Sequence, residues 1–76
     1  MNEDDRQLIE ALIPQVPELA QLVAEHEAFE AQLDELGRRR YLSDAERLTV
    51  ARLKKEKLRG KDRIHQILAE HRRTSS

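Results

Sequence analysis

The 76-residue sequence has no cysteine and no tryptophan, one phenylalanine, one tyrosine, two glycines and two prolines. Without cysteine there is no disulfide framework and no thiolate metal site, and the redox compartment cannot be read from thiol usage. A 3% aromatic content leaves little with which to stack nucleic-acid bases. No apolar run approaches the roughly 20 residues that span a bilayer. The opening MNEDDRQ is acidic, unlike the basic start of a secretory signal. The expectation is a soluble cytoplasmic protein with no membrane association.

What the sequence does have is charge. Charged residues make up 38% of the chain, and together with abundant Ala, Glu, Lys, Leu and Arg they suit long helices or coiled coil rather than sheet. The length allows one small domain, too small to rest on core burial alone. A net charge of −1 conceals a division: Met1 to Leu36 holds ten acids and one cation, Gly37 to Ser76 thirteen cations and five acids. Such asymmetry suits a nucleic-acid arm, or two halves built to lie against each other.

Along the chain, Asn2 to Ile13 carries a short helical signal, with Asp4 and Asp5 in the first turn and Leu8, Ile9, Leu12 and Ile13 on one face. Pro14 interrupts it, and Pro17 fits the first position of a new helix. The PxxP pattern of Pro14 and Pro17 is thereby explained as linker and helix start. Leu19, Leu22, His26, Phe29, Leu33 and Leu36 then follow a 3,4,3,4,3 rhythm, an a/d seam. Gly37 is expected to close this helix in a left-handed cap. Ser43 with Glu46 is a capping box opening a second helix, whose seam is Val50, Leu53, Lys57, Gly60, Ile64 and Ile67. The expected division is residues 1–16 as an N-terminal segment with a short helix and 17–72 as a helical hairpin. Within it helix one covers about 17–38, the turn about 39–43 and helix two about 44–72, leaving 73–76 as a disordered tail.

Two long helices joined by so short a connection predict an all-α fold, an antiparallel coiled-coil-like hairpin that assembles into a helical bundle. A turn near Arg40 to Leu42 pairs Leu33 with Val50, Phe29 with Leu53, Leu19 with Ile64 and Val16 with Ile67. The expected core is Leu22, Phe29, Leu33, Leu53 and Ile64. His26 opposite Lys57 and Leu22 opposite Gly60 are its irregular layers. The same register sets acids Glu18, Glu25, Glu27, Glu30 and Asp34 beside cations Arg47, Lys54, Lys55, Lys61 and Arg63, so most of the positive charge is expected to be answered within the molecule. Flanking charges of this kind select orientation more than they stabilise.

A second apolar row, Leu48, Ala51, Leu58 and Leu68, lies about 100° round the second helix from the seam. One facing helix cannot cover it. These four residues are therefore the expected interface, either in a homo-oligomer (dimer or tetramer) or against a partner helix.

The patterns LxxLxxEHxxF, YLSDAE and LKKEKLxxKDRIxxIL resemble the YdcH-like proteins, small bacterial helical-hairpin proteins whose domain has no known function. The resemblance runs from about Leu19 to Leu68. It is sharpest at Leu53, Lys54, Lys55, Lys57, Leu58, Lys61, Asp62, Ile64 and Leu68. It departs at Gly60, where an apolar residue is usual, and at His65, where an aromatic is common. The resemblance implies a helical hairpin that tends to associate, with no established activity.

No constellation points to chemistry. His65 and His71 are six residues apart on one helix, and no two of the three histidines have the i,i+4 spacing of a helical metal pair. Neither a nucleophile motif nor a glycine-rich phosphate loop occurs. The expectation is a non-enzyme that needs no cofactor and no metal. The competing reading is a nucleic-acid-binding accessory protein, its contacts made by Arg38, Arg39 and Arg40 at the turn and by Lys54 and Lys55 on the basic helix. Against it stand the acidic first half and a pI of about 6.3.

Overall fold

A computed structural model describes residues 2–75 as three helices: α1 (Glu3–Leu12), α2 (Pro17–Gly37) and α3 (Asp44–Ser75). Each start has a local cause. Asn2 is extended, and its side-chain oxygen accepts the Asp5 N–H at 2.9 Å, capping α1 above three acids. α2 begins with Pro17 in its first turn, where no N–H is missed. α3 opens on the reciprocal box, in which the Ser43 N–H donates to Glu46 Oε1 at 2.9 Å and the Glu46 N–H to Ser43 Oγ at 3.1 Å.

The expected glycine cap is not formed. Gly37 lies inside α2, no described glycine has a positive φ, and the cap residue Arg38 is itself right-handed. The Arg38 N–H reaches the Asp34 carbonyl at 3.1 Å and the Arg39 N–H the Leu36 carbonyl at 3.2 Å. The first is an ordinary helical bond and the second a tightened one spanning three residues, and together they satisfy terminal carbonyls without a left-handed residue. At the far end α3 continues beyond Arg72 through Arg73 and Thr74, where a tail was expected. The Thr74 hydroxyl donates to the carbonyls of Glu70 and His71, tying the last turn to the one before it. Ser76 lies outside the described residues.

α2 and α3 pack along each other, and α1 packs on α3. The pairings between α2 and α3 join Glu18 to Arg63 and Glu30 to Lys57. The molecule is 50 × 21 × 16 Å, and at ~1.5 Å per residue the 32 residues of α3 account for that length. α2 has only 21 residues, so it leaves the end of α3 uncovered. Pro14 and the bend after Leu12 turn α1 back over that end. Ile9, Leu12, Leu19, Ile64, Ile67 and Leu68 form one buried cluster there, with Leu8, Ile13, Val16, Leu22 and Val23 packed against it. Asp5, only 8% exposed, accepts from Arg72 Nη2 at 2.7 Å and fixes the two ends together.

Of the expected core, Leu53 and Ile64 are buried, but Leu22, Phe29 and Leu33 are only half-buried. The packing centre lies where three helices meet, and two helices alone leave the seam near the turn partly open to water.

Candidate interaction face

The seam of α3 turns Leu53, Ile64 and Ile67 inward. The residues half a turn away, Leu48, Ala51, Lys55 and Leu58, are exposed, with Leu48 at 73% and Leu58 at 59%. These are large apolar side chains held in water on an ordered helix. The fourth expected member is elsewhere: Leu68 is 1% exposed and belongs to the three-helix cluster. It follows Leu58 by ten residues, which at ~100° each turns it about 80° back toward the seam, where α1 covers it. Leu48, Ala51 and Leu58 thus face away from α2, and Leu68 takes no part in that face.

The charge around this face also differs from expectation. The Arg63 guanidinium meets Glu18 through Nε at 2.8 Å and Nη2 at 2.9 Å, a two-point contact, and Lys57 Nζ is 3.9 Å from Glu30. Among the described residues, however, Arg47, Arg52, Lys54, Lys55 and Lys61 form no ion pair. Lys54 and Lys55 follow the buried Leu53 by one and two residues, so they are turned about 100° and 200° away from α2. The positive charge of α3 is therefore largely unanswered by α2. The outward cations Arg52 and Arg59 went unremarked in the sequence reading, although their spacing from Leu48 and Leu58 places them along its border.

The arginines of the turn are exposed. Arg39 pairs with Glu46, while Arg40 lies 5.9 Å from the centre of the Tyr41 ring, itself 82% exposed. They stand at the start of α3, and Lys54 and Lys55 lie roughly 15 Å further along it.

Hydrogen bonding and neighbouring cations depress three carboxylates. The Arg72 hydrogen bond holds Asp5 below its ordinary value, and the Arg63 hydrogen bond does the same for Glu18. For Glu46 the main cause is the Ser43 N–H of the capping box. Each is a structural carboxylate kept ionised.

An open cleft of about 610 Å³ lies between the three helices. Ile9, Ile13, Val23 and Ile64 give it apolar walls, and His26, Glu30 and Lys57 line its rim. His26 Nε2 is 2.6 Å from Glu30 Oε1, and its Nδ1 is buried without a hydrogen-bond partner in the protein. A Cβ added at Gly60 meets nothing within 4 Å, so the seam is open at that layer. Among the described residues, no three His, Asp or Glu side chains gather as a metal site, and no helix is long and apolar enough to cross a membrane.

A family model described as a protein of unknown function, DUF465, matches residues 19–68. No curated protein and no solved structure matches the chain.

Proposed function

The chain belongs to the DUF465 family of proteins of unknown function, and from that premise we propose that it is a small non-catalytic interaction module, an antiparallel helical hairpin that self-associates or docks on a partner helix through the outer face of α3. One observation carries this reading: Leu48 and Leu58 stand 73% and 59% exposed on a helix whose other leucines and isoleucines are buried. Isolated surface leucines are ordinary, but leucines aligned with Ala51 along one helix face suit a helical partner. The antiparallel hairpin is supported by the pairing of Glu18 with Arg63 and Glu30 with Lys57, in which higher numbers on α2 meet lower numbers on α3. A soluble cytoplasmic site of action accords with this reading.

The test is Leu58→Glu, followed by light scattering for molar mass and circular dichroism for helicity. The substitution keeps a helix former at an exposed site, so helicity is retained while the assembled mass falls. An unchanged mass contradicts the reading.

A second reading, a nucleic-acid accessory role, is favoured by the unpaired Lys54 and Lys55 and by exposed Tyr41 beside Arg40. Titrating salt against binding to single-stranded and duplex probes separates the two. A steep loss of tight binding with salt is the mark of phosphate contacts, and weak, indifferent binding is expected of the interaction module.

A further inference from the structure

The outer face of α3 carries Leu48, Ala51 and Leu58 with Lys55 among them and cations on both sides, and one acid, Asp62, lies on it a turn beyond Leu58. Arg47, Arg52, Lys54 and Lys55 have no ionic partner among the described residues, and Arg59 reaches only Glu56 of its own helix, at 3.8 Å. Two α3 helices laid face to face set these cations against one another, because the same border is presented twice. Like charges across a helix interface oppose pairing. The occupant of this face must therefore be acidic as well as apolar or small.

α2 presents such a surface on its own far side. Leu19, Leu22, His26, Phe29 and Leu33 turn toward α3 and are buried or half-buried, while Gln21, Ala24, Ala28, Ala31 and Glu35 are exposed along the opposite face. Glu25 and Glu27 flank that face, and neither makes an ion pair among the described residues; Asp34 and Glu35 are equally unpaired. Alanines leave room for a leucine to seat between helical turns, and the acids on either side match the arginines and lysines that border Leu48 and Leu58.

We propose that the outer face of α3 in one copy of this chain binds the acidic outer face of α2 in a second copy. This deepens the interaction reading above and rests on it, by naming the partner surface. The two faces lie on opposite sides of the α2–α3 layer, so a copy that uses one leaves its other face free. The contact is heterologous: it closes as a ring or grows by addition, in contrast to a two-fold dimer. Charges between exposed groups orient the contact and add to the burial of Leu48 and Leu58, so it weakens with added salt.

The experiment uses two full-length variants. Leu58→Glu disables the α3 face and leaves the α2 face intact; Ala28→Arg disables the α2 face and leaves the α3 face intact. Both sites are exposed and both new residues are good helix formers. The expectation is that each variant alone has the mass of one 8.9 kDa chain. Mixed in equal amounts, they form a complex of twice that mass, because each supplies the face the other lacks. If Ala28→Arg assembles like the unaltered chain while Leu58→Glu does not, the face on α2 is wrong, though association through α3 survives. If the mixture stays monomeric, the complementary pairing is likewise overturned. If the unaltered chain is itself monomeric, the self-association reading fails with it. Should either variant lose helicity, Leu48→Gln and Ala24→Lys address the same faces and are judged by the same outcomes.

Discussion

Gly60 shows how much a single residue decides in this molecule. It sits in the α3 seam, yet a Cβ built there meets nothing within 4 Å, so glycine is not required by crowding. Its φ is not positive either, so the backbone makes no demand for it. A helical glycine with neither excuse is a plain loss of stability. Gly60→Ala is expected to stabilise the fold by about 0.5–1 kcal/mol, read as a higher midpoint in urea with an unchanged slope. A lower midpoint would show that the opening at this layer is occupied in solution. At the same scale, the capping box of Ser43 and Glu46 was fully legible, because its chemistry is local to four residues. The cap at Gly37 was not: glycine permits a left-handed closure, but the chain reaches the next helix by a right-handed route through Arg38.

Among the elements, α1 is where sequence reading reached least far. Its helical signal is plain from Leu8, Ile9, Leu12 and Ile13. Where it docks depends on α3 being longer than α2 and on Asp5 finding Arg72, a contact across 67 positions that no local pattern encodes. Leu68 was misassigned for the same reason, since its cover comes from α1. The Asp5–Arg72 pair makes a pH-dependent prediction. Arg72 lowers the Asp5 value in the folded state, so the pair contributes fully above the unfolded value and its contribution is lost as pH falls through the folded one. Glu18 and Glu46 are lowered too and act in the same direction. Stability should therefore decline on acidification below the ordinary carboxylate range. In Asp5→Asn that decline is expected to be shallower, and the amides of α1 should exchange faster at neutral pH. Unaltered protection of α1 would mean that Asp5 does not fasten it.

The whole molecule is a thin rod, and its proportions explain both its stability problem and its proposed role. The all-helical character and the contact between α2 and α3 were readable from two seams of 3,4 spacing. The distribution of charge was readable only in part: the halves carry opposite charge, but Lys54, Lys55 and Arg47 form no ion pair among the described residues, so their charge is not answered by α2. A face of exposed leucines interspersed with and flanked by cations is the main feature the rod does not use for itself. The central claim is that another helix covers this face in solution. Sedimentation equilibrium of the unaltered chain over a wide concentration range tests it most directly. The account predicts an average mass that climbs above 8.9 kDa as concentration rises and drops back when salt is added. A well-folded chain that keeps the mass of one copy at every concentration would contradict it.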